Sequence, residues 1–180
     1  MAGITDSAFR QICKGFGADI VYSEMASVNA LFYEPTSTLK MLEFNEIERP
    51  YVVQLFGNDP HLFALAAKMI EEKVRPDGID INFGCPVPKI VKQGSGIALF
   101  QDLKKSREVI KEVINNTKLP VSIKTRSQVG EVDVLKFLEN IEGLDVKAIM
   151  IHGRTPSQGF FGSVDTRIIK KARDYQQEIY

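Results

Sequence analysis

Ile79-Asp80-Ile81-Asn82-Phe83-Gly84-Cys85-Pro86-Val87-Pro88-Lys89 is an apolar strand that runs into a turn carrying a thiol. The ordinary reading of a cysteine at a strand end is a small buried hydrophobe. Here the neighbours argue otherwise. Gly84 permits backbone angles closed to other residues, and Pro86 fixes φ and removes a donor, so the turn is expected to display Cys85 at one angle. The glycine-rich basic stretch Lys89-Ile90-Val91-Lys92-Gln93-Gly94-Ser95-Gly96 that follows is loop-like and points the same way.

Working outward, strands and helices alternate. On the N-terminal side, Tyr51-Val52-Val53-Gln54-Leu55-Phe56 is a strand stopped by Gly57. Asp59-Pro60 then opens a helix with a cap and a first-turn proline, and Leu62, Leu65, Ala66, Met69 and Ile70 form its apolar stripe. Earlier still, Thr5, Asp6 and Ser7 supply cap oxygens for a helix whose Phe9, Ile12, Cys13 and Phe16 share one face, and this predicts a core position for Cys13. A strand is expected over 18–25, followed by a less regular helical stretch. On the C-terminal side the pattern predicts a helix over 102–114, a strand over 121–126, a helix over 132–141, a strand over 148–154 and a last helix over 165–175.

Repeated strand–helix units with near-continuous apolar strands predict a parallel sheet covered by helices, either a (β/α)8 TIM barrel or an open doubly wound sheet. Glu24, Gln54, Asn82, Lys124 and His152 all fall near the C-terminal ends of successive strands. Barrel strands converge on one mouth at those ends, whereas an open sheet uses a single crevice, so the pattern favours the barrel. No Gly-x-Gly-x-x-Gly fingerprint follows the first strand, and no Walker-type phosphate loop is present.

The 180 residues balance 23 Lys and Arg against 23 Asp and Glu, which argues against a surface wholly devoted to polyanions but leaves room for a local basic strip. Cys13 and Cys85 are far apart and lack metal-ligand spacing, so no metal is expected and a reducing cytoplasm fits. No stretch approaches the ~20 apolar residues of a membrane span.

An ordered series of segments resembles the tRNA-dihydrouridine synthases. Met1-Ala2-Gly3-Ile4-Thr5-Asp6 is similar to that family's opening segment, Gln54-Leu55-Phe56-Gly57 to its second signature, and Asp80-Ile81-Asn82-Phe83-Gly84-Cys85-Pro86 to its catalytic loop. Lys124-Thr125-Arg126 and His152-Gly153-Arg154-Thr155 continue the series in order. The resemblance implies an FMN-dependent TIM-barrel enzyme that reduces the C5–C6 double bond of a uridine in tRNA, with NADPH as electron donor. It further implies that Met1 and Ala2 line the flavin and that Gln54, Lys124 and His152 hydrogen-bond it. Cys85 would be the general acid, and an ordinary thiol, with a pKa of about 8.5, is protonated at neutral pH and able to donate. Asn82 and Arg126 would contact the substrate uracil and nearby phosphate, and Lys89 and Lys92 the RNA backbone.

The same resemblance leads to the expectation of a single, partial barrel domain over residues 1–180. Its first strand would be cut short, and its last two strands and a C-terminal helical tRNA-binding domain would be absent. Two other readings stay open. One is another FMN-dependent pyrimidine oxidoreductase of the dihydroorotate dehydrogenase type, against which Gly84 and the Gln54–Gly57 segment argue. The other is a non-catalytic RNA-binding remnant.

Overall fold

The computed structural model describes residues 2–179, with side chains described over 2–175. Asp6 caps α1 (Ser7–Gly15) by accepting the Phe9 N–H. β1 (Val21–Ser27) leads into two short helices, α2 (Val28–Tyr33) and α3 (Pro35–Met41). β2 (Tyr51–Phe56), α4 (Pro60–Met69) and β3 (Gly78–Asn82) follow as the sequence predicts, and the Asp59 carboxylate caps α4. Between β3 and β4 (Val121–Arg126) lie two short helices that periodicity does not announce, α5 (Pro88–Lys92) and α6 (Ile97–Gln101), and then the expected α7 (Leu103–Asn115). A small antiparallel pair, β5 (Gln128–Val129) and β6 (Val132–Asp133), precedes α8 (Val134–Ile141). β7 (Val146–His152) and α9 (Thr166–Ile179) complete the order.

The main sheet runs β1-β2-β3-β4-β7, with every neighbouring pair parallel. Spatial order therefore follows chain order without a reversal. A doubly wound sheet would reverse at its switch point, so this sheet is an arc of a (β/α)8 barrel.

The strands alternate in character. Val53, Leu55, Ile79, Ile81 and Ile123 are fully buried and join the core cluster with α4, α7 and α8 residues such as Phe63, Val109 and Phe137. At the intervening positions stand Gln54, Asp80, Asn82, Ser122, Lys124 and Arg126. Successive side chains on a strand take opposite faces, so these polar residues share the other face. Strand register places Gln54 beside Asp80, Asp80 beside Ser122, and Asn82 beside Lys124.

Two expectations are corrected. Most of the apolar face of α1 is not core: Phe9, Ile12 and Phe16 are 42%, 59% and 91% exposed, whereas Cys13 is half-buried and packs against the core cluster. The buried residue of α1 is Arg10, whose Nε lies 2.5 Å from Glu48 Oε2 and whose Nη atoms donate to the carbonyls of Thr5 and Glu43. That ion pair, with the guanidinium over the Tyr51 ring, pins the helix so that Phe9 and Cys13 border the cavity. Gly84 is the second correction. It is absent from the glycines with positive φ, so its conformation does not require glycine. A Cβ there would meet the Thr125 backbone on β4 at 3.4 Å, an ordinary van der Waals contact.

Candidate active site

The loop after β3 is anchored before it begins. Phe83 is fully buried and meets Phe137 edge-on at 5.2 Å, while Phe137 stacks on Phe100 at 4.6 Å. Burying such a ring contributes roughly 2–3 kcal/mol, so the chain enters the loop from a fixed point. Four hydrogen bonds then grip the next two residues. The Asn82 Oδ1 accepts the N–H groups of Gly84 and Cys85, each at 3.0 Å. Arg126 Nε donates to the Gly84 carbonyl at 3.0 Å, and the Ile97 N–H donates to the Cys85 carbonyl at 3.1 Å. Gly96, at φ 61°, closes the far side; a Cβ there would stand 2.5 Å from the Cys85 carbonyl oxygen. Sequence reading missed Gly96 as a site residue, although the Gly94-Ser95-Gly96 pattern carried the signal.

Cys85 faces a cavity of about 560 Å³ walled by the polar face of the sheet and by the inner side of α1. Ala2, Gln54, Asn82, Lys124, Arg126 and His152 line it with Cys85. Met25, Met150 and Phe160 supply apolar wall that the sequence reading did not anticipate. Met1 lies outside the described residues. Lys89 and Lys92 are exposed on α5, beside the loop but outside the cavity lining. Glu24 is turned elsewhere. A register irregularity between Tyr22 and Met25 sets Met25 opposite Gln54, and the Glu24 carboxylate instead accepts the Gly3 N–H.

Beneath the mouth lies a polar layer that strand-end reading did not reach. Asp80 is completely buried, and its two oxygens accept from Gln54 Nε2 and Ser122 Oγ, both at 2.7 Å. Gln54 Oε1 accepts from Asn82 Nδ2 at 2.9 Å, and the same Nδ2 lies 3.8 Å from Met25 Sδ. Asn82 therefore acts on the loop in this conformation, its oxygen taking two backbone donors. Arg126 likewise holds the Gly84 carbonyl and, at 3.4 Å, that of Arg154. Burial pushes the Asp80 carboxyl up to about 6, against the pull of Ser122, Gln54 and Lys124.

The upper rim is cationic. Burial, and then the Arg126 charge, hold the Lys124 ammonium below its usual value, while Asp80 and Cys85 oppose the shift. Burial followed by Arg126, Lys124 and Arg154 lowers His152 in the same way. Among the described residues, neither the Lys124 ammonium nor the His152 ring makes a side-chain hydrogen bond. Both groups have donors to offer, and like charges crowded in a partly buried wall favour an anionic or electron-rich partner with acceptors. No group of three or more His, Cys, Asp or Glu able to hold a metal occurs among the described residues. No helix among them is long and apolar enough to cross a membrane.

Comparison with known proteins agrees with this geometry. The chain is 37% identical over 176 residues to a probable tRNA-dihydrouridine synthase of Aquifex aeolicus, covering 96% of this chain and 55% of that protein. It is 34% identical to a probable tRNA-dihydrouridine synthase of Treponema pallidum, covering 94% and 52% of the two chains. Against tRNA-dihydrouridine synthase B of Vibrio parahaemolyticus the identity is 32%, with 97% and 54% covered. The chain thus spans about half the length of the curated relatives it matches. The family model described as dihydrouridine synthase (Dus) matches residues 1–179, and with the ordered motifs gathered around one cavity, the chain belongs to the dihydrouridine synthase family.

Proposed function

We propose that this chain supplies the catalytic arc of a tRNA-dihydrouridine synthase in which Cys85 delivers a proton to C5 of a uridine. The observation that carries this reading is one cavity holding a gripped thiol beside two cationic side chains, Lys124 and Arg126, and the His152 imidazole. The donor set fits FMN. Lys124 and His152 have donors to offer, and Gln54 keeps one amide hydrogen and one lone pair beyond its two contacts within the chain. The Lys124 ammonium would stabilise negative charge on a reduced flavin held in the cavity. Bound and reduced, FMN supplies hydride chemistry at uracil C6, with NADPH as the electron source.

The rest falls to the chain's own residues. The loop holds the Cys85 sulfur at the cavity wall, so its proton is presented from a fixed position rather than from a mobile side chain. Met25, Met150 and Phe160 provide apolar wall that limits water around the reacting ring. A uridine reaches so deep a site only by leaving the base stack, which is the geometry used by other enzymes acting on a base within a folded nucleic acid. Lys89 and Lys92 stand outside the mouth, where the flanking RNA phosphates would pass.

The test begins with FMN titration of the purified protein, read by quenching of flavin fluorescence. Dihydrouridine formation in tRNA with NADPH is then measured for the wild type and Cys85→Ala. Proton donation by a positioned acid is worth about 10²–10⁴-fold, so the variant should lose at least ~100-fold in rate while binding FMN as before. Undiminished turnover would remove Cys85 from the role. Oxidation of free dihydroorotate with tRNA left unchanged would move the chain to the other pyrimidine oxidoreductases.

A further inference from the structure

We propose that Asp80 is a positioning residue that fixes the direction of a hydrogen-bond relay through Gln54 and Asn82, and so holds the loop that carries Cys85. A side-chain amide can present its oxygen or its NH2 group to a given neighbour, and two in series can in principle point either way. Here both ends of the series are committed. Ionised, the Asp80 carboxylate accepts only, so Gln54 must turn Nε2 towards it, at 2.7 Å. That leaves Oε1 for Asn82, whose Nδ2 takes it at 2.9 Å. Asn82 Oδ1 then points at two groups that only donate, the N–H groups of Gly84 and Cys85, at 3.0 Å each. A reversed amide anywhere along the line would set oxygen against oxygen, or N–H against N–H.

Ser122 Oγ donates to the remaining Asp80 oxygen at 2.7 Å, which keeps the carboxylate in place. Register accounts for the assembly, since Gln54, Asp80 and Ser122 stand side by side on three adjacent parallel strands and Asn82 is one side-chain step further along β3. None of these groups is left unsatisfied. The catalytic meaning of the relay rests on Cys85 being the proton donor, but its existence does not.

The experiment compares backbone amide exchange at Gly84 and Cys85, by NMR, in the wild type, Asp80→Leu and Asp80→Asn, without flavin or RNA. Global stability is measured alongside. Asp80→Leu leaves Gln54 without its acceptor, so exchange at both amides should accelerate three- to ten-fold even if removal of a buried charge raises global stability. Asp80→Asn can still turn its oxygen to Gln54 and its NH2 to the Ser122 hydroxyl, so protection should return to within two-fold of the wild type. Loop and global stability moving together in every variant, or unchanged exchange in Asp80→Leu, would overturn the proposal. If Asp80→Leu does not fold, the wild type answers by itself. The Gln54 and Asn82 side-chain NH2 groups should exchange slowly, and rapid exchange of both would refute the relay. Loss of dihydrouridine activity with slow exchange intact would count against the functional reading and leave the relay standing.

Discussion

Replacing Asp80 by Asn should change the stability of the fold by an amount that depends on pH in one narrow window. The folded-state value of Asp80 is raised from 3.8 to about 6, with burial as the main cause. Between those values the folded protein holds a proton that the unfolded chain releases, so stability falls as pH rises through the window. The shift corresponds to about 3 kcal/mol, at 1.36 kcal/mol per unit, and the side chain is fully buried, so solvent screening takes little away. Asn does not ionise. The stability difference, Asp80→Asn minus wild type, should therefore grow by about 3 kcal/mol between pH 3.5 and pH 7, most steeply between 4 and 6. Groups distant from Asp80 cancel in this difference, including Glu48, whose own titration affects both proteins alike. Urea unfolding at closely spaced pH values, followed by circular dichroism, measures it. A difference that stays flat across the window would mean that Asp80 ionises as easily in the fold as in the unfolded chain, and the reasoning from burial would fail.

Further outcomes follow from the same contacts. Arg10→Met leaves Glu48 buried without its cation, and chemical denaturation should show a loss of about 3–5 kcal/mol; a loss below ~1 kcal/mol would mean the pair behaves like a surface one. Burial raises the Glu48 carboxyl, but hydrogen bonds from Ser7, the Asn45 N–H and Arg10, with the Arg10 charge, leave it below its usual value. Its contribution to stability is thus present above the unfolded-state value near 4.5 and lost as pH falls through the folded one. Gly96→Ala combines a positive φ with a Cβ 2.5 Å from the Cys85 carbonyl oxygen, so it should cost about 1–3 kcal/mol and shift the Cys85 amide resonance. An unmoved resonance would show that the loop does not lean on Gly96. Lys124→Met removes a cation near His152, and the imidazole should then titrate at higher pH in NMR, since Lys124 is among the charges that depress it. A downward movement would contradict the electrostatic account of the rim.

The order of strands and helices could be read from the chain because each signal is local. Asp59-Pro60 before an apolar stripe, Asp102 before α7, and the β-branched run 121–126 act within a few residues, and the structure follows them closely. Cys85, Gln54, Lys124, Arg126 and His152 could be read for a related reason. Parallel strands in chain order bring their C-terminal ends to one side, so residues scattered over a hundred positions meet at one mouth. Less could be read where partners are remote. The stripe of Phe9, Ile12 and Phe16 looks like a core face until the Arg10–Glu48 pair, joining residues 38 apart, sets the rotation of α1. The relay was visible only in part. Polar residues alternate at 80 and 82 and at 122, 124 and 126, which places them on one face. Which of them touch depends on inter-strand register, and register is a property of the folded sheet. Local signals in the chain were thus enough for the main strands and helices, their parallel order and the polar residues at the strand ends, but not for the short helices α5 and α6. The folded sheet settles which way α1 turns and how a buried carboxylate on β3 is joined, through Gln54 on the neighbouring strand, to the backbone of the loop that carries the thiol, because both depend on distances between segments that local propensity does not encode.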